Sequence, residues 1–215
     1  MIKIDSITKT FASQTVLDSV NLEIEDGQKV LIIGQNGAGK STLMKAILGE
    51  LICDTGTITI NGIDPTKDRK KALEFLSFVP QTPPPLKLRV DELCEYSIKS
   101  SGSNLSDIKA YLKDLELDYD KEAKKPFYKL SGGMKQKVLI AIALARKSNT
   151  IMFDEPTANL DPEARDRFLE LLNAKFKDKT IIFISHRISE VKGIVTKVVE
   201  MDLGKIVNER RIENE

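Results

Sequence analysis

The sequence carries a complete phosphate-binding loop near its N-terminus, with the pattern Gly-x-x-x-x-Gly-Lys-Ser from Gly34 to Ser41. The apolar run 30–33 precedes this loop, and a helix-like stretch at 42–48 follows it. Its glycines let backbone N–H groups converge on phosphate oxygens, and the next helix adds the positive end of its dipole. Lys40 is placed to reach the β- and γ-phosphates, and Ser41 to ligate Mg²⁺. The predicted nucleoside triphosphate site comprises Gly34, Gln35, Asn36, Gly37, Ala38, Gly39, Lys40, Ser41 and Thr42.

A second predicted anion site lies at Leu-Ser-Gly-Gly, residues 130–133. This run opens a stretch predicted to form an amphipathic helix through 138–145. Ser131 suits the N-cap, and the two glycines that follow leave the first N–H groups of the helix accessible. The helix N-terminus therefore favours a negatively charged ligand.

Two adjacent carboxylates follow a predicted buried strand at 150–153. Asp154 and Glu155 stand at its carboxyl end, the edge at which α/β sheets bind ligands. One carboxylate can hold Mg²⁺ while the other orients water. Phosphate binding alone leaves kinases, GTPases, helicases and transport motors open, so these further motifs decide between them.

The order of the motifs resembles that of the ATP-binding-cassette (ABC) family, over nearly the whole chain. The matching positions are the loop 34–41, Gln81 after a predicted strand, the signature 130–133, Asp154-Glu155, the D-loop 159–161 and His186 after a further predicted strand.

This resemblance implies specific roles for the matching residues. Glu155 is expected to accept the proton of the attacking water, and His186 to contact the γ-phosphate. Gln81 is expected to report the nucleotide state and to join the Mg²⁺ shell with Ser41 and Asp154. Cassettes of this family pair head to tail, so the signature of one chain caps the ATP of the other. The residues expected on that trans surface are Ser131, Gly132, Gly133 and Gln136, with Asp161 as the D-loop residue.

An aromatic residue precedes the second predicted strand at Phe11. In the family an aromatic at this spacing stacks on adenine, and a phenyl ring is sufficient for stacking. Stacking and plain core packing are both compatible with the sequence at this position.

The hydrophobic pattern predicts an α/β fold with a RecA-like, mostly parallel sheet from residue 30 onward. Alternation at 2–7 and 20–24 predicts an antiparallel β subdomain, and 57–60 followed by Asn61-Gly62 predicts a hairpin. A closing hairpin is predicted at 198–207. Between residues 82 and 147 only helices are predicted. We therefore expect one domain, with a catalytic core and β subdomain at 1–81 and 148–215 and an inserted helical subdomain at 82–147.

The composition excludes several classes of protein. There are 33 Lys and Arg against 32 Asp and Glu, a formal net charge of +1, so no global field attracts nucleic acid. The longest apolar run, 138–145, is too short for a transmembrane helix, and the N-terminus lacks a signal-peptide pattern. Cys53 and Cys94 show no metal-ligand spacing and are expected to be reduced structural thiols. A cytoplasmic protein is expected.

Two polar or proline-rich runs lack a motif. The run 82–88 contains three prolines and is expected to be extended, either as a rigid connector or as part of a groove for a partner helix. The run 121–125 is expected to be a solvated charge run.

The resemblance implies an ATP-hydrolysing subunit of a transporter, peripheral on the inner face of the cell membrane. It implies ATP and Mg²⁺, a second copy or a homologous cassette, and separately encoded transmembrane permease subunits. A regulatory ABC ATPase that gates a membrane complex would carry the same residues, and this alternative stays open. A ribosome or nucleic-acid ABC protein should show a second cassette or a basic linker, so no nucleic acid is expected. The short helical lobe resembles exporters of the ABC-2 type.

Overall fold

A computed structural model describes residues 1–191 and 193–212 of the chain, which divide into two units. The first unit contains residues 1–76 together with the chain from Asp178 onward, and the second contains Ser77–Lys177. The expected helical subdomain, 82–147, is therefore only a part of the second unit. The second unit also contains residues 148–177, which the sequence analysis placed with the catalytic core.

The first sheet of the first unit is antiparallel and has the order β2-β1-β4. Its strands are β1 (Ile2–Phe11), β2 (Gln14–Ile24) and β4 (Thr55–Ile60). Alternate apolar residues of β1 and β2 are buried, as a sheet with one covered face requires. The predicted strands of this subdomain are confirmed, with longer bounds.

The predicted hairpin at Asn61-Gly62 is wrong. The turn forms, but only an isolated bridge between Ile60 and Ile63 follows it. The edge of β4 is paired with β1, and the Asp64 carboxylate accepts a hydrogen bond from Thr66 N at 2.9 Å, which turns the chain away.

The second group of strands in this unit surrounds β3 (Lys29–Ile33). It pairs in parallel with β7 (Thr180–Ile184) and β8 (Lys197–Asp202). Antiparallel to β8 runs β9 (Lys205–Arg211), which confirms the closing hairpin. The unit also contains α1 (Lys40–Ile47), α2 (Arg69–Ala72) and a 3₁₀ turn at Ile188–Glu190.

The second unit combines two neighbouring strands with most of the helices. The strands are β5 (Leu76–Val79) and β6 (Thr150–Asp154). The helices are α3 (Val90–Ser101), α4 (Leu105–Asp114), α5 (Tyr119–Glu122), α6 (Gly132–Ala145) and α7 (Pro162–Lys175), with a 3₁₀ turn at Phe127–Lys129.

Helix α6 is not amphipathic, contrary to the prediction. Buried side chains at 136, 138, 140, 141, 143, 144 and 145 cover most of the helix, and the half-buried Leu139 and Ile142 also pack against the core. It contacts both α3 and α4, and its apolar residues join the core of the helical part. A central position between other helices explains the continuous apolar run.

Within the part of the chain that the structure describes, no helix is both long and apolar enough to cross a bilayer.

Candidate functional site

The phosphate-binding loop lies between β3 and α1, as predicted. Gln35, Asn36 and Gly37 are exposed, whereas Ala38 and Gly39 are buried. Gly39 has a φ of 101°, and a Cβ there would lie 2.7 Å from the carbonyl oxygen of Val16, so only glycine fits. No side chain caps α1, and its N-terminus is therefore suited to a phosphate group.

The amine of Lys40 is folded onto its own loop. Its Nζ donates to the carbonyl oxygens of Gly34 at 2.6 Å and Gln35 at 3.0 Å. Ser41 is exposed at the start of α1, and Thr42 is half-buried. A triphosphate bound to this loop can accept the hydrogen bonds of the Lys40 ammonium group in place of the two carbonyl oxygens.

His186 belongs to the same unit as the loop. Neighbouring parallel strands end at the same edge of a sheet, and β7, which precedes His186, pairs with β3, which precedes the loop. Ser185 is buried, and its Oγ accepts a hydrogen bond from Arg187 N at 3.2 Å, while His186 is exposed. The turn after β7 therefore presents the imidazole to solvent.

Phe11 is 47% exposed, which argues against core packing at this position. Lys9 Nζ lies 5.5 Å from the centroid of the Phe11 ring and forms an ion pair with Asp54 at 2.8 Å. A cation on one face of a ring leaves the other face for a flat ligand. Of the two alternatives that the sequence left open, the exposure argues against core packing, and stacking on a base stays a prediction.

Replacing Phe11 by Ala should therefore weaken ATP binding. The loss of base stacking should raise the Kd roughly five- to hundredfold, the worth of one base–aromatic contact. Isothermal titration of the purified chain measures this, with Phe11→Tyr as the matched control that keeps a ring. An unchanged Kd for Phe11→Ala would show that the ring does not contact the base.

The two carboxylates at the end of β6 differ in environment. Asp154 is half-buried, and Glu155 is 8% exposed. Glu155 also has a φ of 45°, a left-handed conformation that costs a non-glycine residue about 1–3 kcal/mol. Strain of this kind persists where the surrounding structure holds a residue in a required place, as at catalytic positions.

The signature forms the N-terminus of α6. Ser131 is the N-cap, as predicted, and its Oγ accepts a hydrogen bond from Met134 N at 3.2 Å. Ser131 and Gly132 are exposed, and Gly133 is half-buried. A surface with accessible N–H groups therefore faces solvent at this helix end.

The structure corrects the assignment of Gln136 to the trans surface. Its side chain is fully buried, and Nε2 donates to the carbonyl oxygen of Pro80 at 3.4 Å. Two residues beyond Met134, this side chain points into the unit and anchors α6 to Pro80, the residue before Gln81.

Asn159, the first residue of the predicted D-loop, makes a contact that the sequence did not indicate. Its Nδ2 donates to the carbonyl oxygen of Gln81 at 3.0 Å. A Cβ added at Gly133 would lie 3.0 Å from the Asn159 carbonyl oxygen. The D-loop therefore links Gln81 to the signature within the second unit, and only its position in the motif could have indicated this.

Asp161 caps α7 in the structure. Its carboxylate accepts a hydrogen bond from Ala164 N at 2.9 Å, and this bond lowers the pKa of Asp161. Pro162 occupies the first turn of that helix.

Comparisons with known proteins agree with this arrangement. A family model described as ABC transporter matches residues 17–158. The energy-coupling factor transporter ATP-binding protein EcfA2 of Clostridium tetani is 35% identical over 96% of this chain and 77% of its own length. The lactococcin-A transport/processing ATP-binding protein LcnC of Lactococcus lactis is 32% identical over 89% of this chain, which spans 28% of that protein.

The likeness extends to solved structures. The dimeric post-hydrolysis structure of the ATP-binding cassette MJ0796 bound to ADP and Pi has a TM-score of 0.85 and 26% identity, with all of both chains covered. The motifs, the fold and the match over most of the sequence agree, and the chain belongs to the ABC transporter family as an ATP-binding and ATP-hydrolysing cassette.

Proposed function

We propose that the chain hydrolyses ATP as one half of a head-to-tail pair of cassettes and drives membrane subunits that dock beside Gln81. The observation that carries this proposal is the exposed signature at the N-terminus of α6. A helix N-terminus that faces solvent is suited to bind a phosphate group held by a second molecule.

In the proposed mechanism, the loop 34–42 binds the triphosphate through backbone N–H groups and Lys40, and Phe11 stacks on the base. Glu155 accepts the proton of the attacking water, because its strained, buried position holds the carboxylate in one place. His186 and Gln81 contact the γ-phosphate and complete the catalytic set. Loss of that phosphate removes their contact and lets the two cassettes separate.

The proposed Mg²⁺ ligands are oxygens, as this ion prefers. Ser41 offers an exposed hydroxyl, Asp154 a half-buried carboxylate and Gln81 an exposed amide. Among residues 1–191 and 193–212 no group of three or more His, Cys, Asp or Glu could form a cage by itself. Such a donor set fits an ion held largely by phosphate and water, which would neutralise phosphate charge.

Pairing of two cassettes is supported by the solved relative MJ0796, which is a dimer bound to ADP and Pi. Ser131 and Gly132 would cap the ATP of the second chain, whether an identical copy or a homologous cassette. Gln136 has no part in this surface, since it is buried.

A membrane partner is supported by the relatives, which are named as ATP-binding proteins of transporters. In the second unit, the segment after Gln81 exposes Lys87, Leu88 and Tyr96, with Leu88 40% and Tyr96 68% exposed. Exposed apolar side chains beside a cation suit a short amphipathic helix. We propose that a cytoplasmic helix of a permease docks there, at the inner face of the membrane.

This docking is tested by cysteines engineered at Lys87 and Leu88 and cross-linked in native membranes. Cys94 can remain, because burial raises its thiol pKa to about 12, and only Cys53 needs replacement. We expect an integral membrane protein to be captured at both positions, and none at a control cysteine at exposed Lys113.

Lys87→Glu should release the chain from membranes while the ATPase rate of the purified chain stays unchanged. Capture of only non-membrane proteins or RNA would contradict the transporter subunit and favour the regulatory or nucleic-acid alternatives.

A further inference from the structure

Two segments of the second unit are bound to each other along their backbones. The post-Gln81 segment, 88–91, lies against the pre-signature segment, 123–129. Val90 N donates to Lys125 O at 3.1 Å, Asp91 N to Ala123 O at 2.9 Å, and Phe127 N to Leu88 O at 2.8 Å. Arg89 and Pro126 form an antiparallel bridge between them. The first segment begins at the proposed docking site, and the second ends at the signature.

Asp91 adds side-chain bonds to both segments. Its carboxylate accepts hydrogen bonds from Arg89 Nε and Glu92 N, each at 2.9 Å, next to it in sequence. It also accepts a hydrogen bond at 2.7 Å from Lys124 Nζ in the pre-signature segment. The hydrogen bonds from Arg89 and Lys124 hold the pKa of this carboxyl far below its usual range. Asp91 therefore stays charged at physiological pH. Lys124 is exposed, as expected for the solvated run 121–125, whereas Glu122 and Ala123 of that run are buried.

The pre-signature segment is continuous with Ser131. Phe127 is fully buried in one core with Val90, Cys94 and Leu130. Lys129 N donates to Pro126 O at 2.9 Å and Leu130 N to Phe127 O at 3.1 Å. The next residue is Ser131, the N-cap of α6.

We propose that Asp91 is a positioning residue that locks the post-Gln81 and pre-signature segments together, so that a displacement at Leu88 is delivered to Ser131. The inference rests on the proposed function only where it treats Ser131 as the contact with a second chain's ATP. The coupling of the two segments is a property of the single chain.

The Asp91 carboxylate stabilises the contact between the two segments in addition to their three backbone hydrogen bonds, because it neutralises two cations there. Arg89 and Lys124 are both cations and share Asp91. If residue 91 is neutral, Arg89 still forms its ion pair with Glu92 at 3.4 Å. Lys124, by contrast, loses its ion pair with Asp91 and is left near the positive charge of Arg89. The two cations then repel each other, and this repulsion pushes apart the two segments that the backbone hydrogen bonds hold together.

Hydrogen exchange of the single chain tests this coupling. In Asp91→Asn, exchange at Val90 and Phe127 and in the stretch 128–134 should rise together, roughly two- to fivefold, as for the loss of a partly exposed ion pair. Lys124→Ala removes an exposed cation and should give a smaller rise in exchange at the same amides.

The double variant Asp91→Asn/Lys124→Ala should exchange more slowly than Asp91→Asn alone, because the repulsion between Arg89 and Lys124 is gone. Asp120→Asn, which breaks the Lys109–Asp120 pair of 2.7 Å, is the matched control and should change none of these amides.

Exchange that rises only at 88–91 in Asp91→Asn would show that the segments are independent and would overturn the proposal. So would a double variant that exchanges faster than both single variants, since a purely structural loss is additive.

The functional consequence is measured in the Glu155→Gln background. Asp91→Asn should weaken ATP-dependent dimers by a similar factor while the ATP Kd of the monomer is unchanged. If Glu155→Gln itself forms no dimer with ATP, the head-to-tail function fails, and the exchange data still decide the coupling.

Discussion

Replacing Glu155 by Gln should leave ATP binding intact and slow hydrolysis by about 10²–10⁴-fold, the usual worth of a positioned base. Gln has nearly the same shape and keeps the buried position, but its amide accepts no proton at neutral pH. Because the γ-phosphate then stays in place, ATP should trap a stable dimer. Phosphate release and sizing with ATP measure the two effects.

Glu163→Gln is the matched control, since Glu163 is an exposed carboxylate in the first turn of α7 of the same unit. It should hydrolyse ATP at the wild-type rate. A wild-type rate in Glu155→Gln as well would show that another group is the base.

Lys40→Ala and Ser131→Arg should separate binding in one chain from closure between two chains. Lys40→Ala removes a charged donor to phosphate, which should raise the ATP Kd by roughly 10–150-fold. Ser131→Arg adds bulk to an exposed position and should leave that Kd unchanged while abolishing ATP-dependent dimers. Nucleotide titration gives the affinities, and sizing with ATP in the Glu155→Gln background gives the dimer.

The matched control for Ser131→Arg is Ser131→Ala, which also loses the N-cap bond to Met134 N but adds no bulk. Both variants should lose about 1 kcal/mol of stability, and only the arginine should block the dimer. An equal loss of ATP affinity in Lys40→Ala and Ser131→Arg would place the signature beside its own loop and contradict the head-to-tail pair.

Much of the fold could be predicted because its determinants are local. The loop 34–41 and the strand Thr180–Ile184 each follow from a short motif or apolar run. The hairpin expected at Asn61-Gly62 stops at a single bridge between Ile60 and Ile63, and the strand that pairs with β4 is β1, far away in sequence. Turn residues indicate where a chain reverses and not which strand it then meets.

The candidate site shows the same division. Motif spacing indicated Ser131 as an N-cap, because that interaction spans three residues. It could not indicate that Gln136 points inward to Pro80 or that Asp91 meets Lys124, since both depend on how distant segments pack. In the sequence Lys87 and Arg89 are simply two cations close together after Gln81, whereas in the structure Arg89 pairs with Asp91 and Glu92.

The turn between β8 and β9 packs against one side of the phosphate-binding loop. Gly204 N donates to Ala38 O at 3.1 Å, and a Cβ at Gly34 would lie 2.3 Å from the carbonyl oxygen of Met201. Both strands that flank β3 also come from the last part of the chain. During synthesis, the loop therefore leaves the ribosome long before the residues that shape it. A nascent chain should acquire ATP affinity only when the β8–β9 hairpin has emerged, so that translation of residues 197–211 completes a site whose loop lies at 34–41.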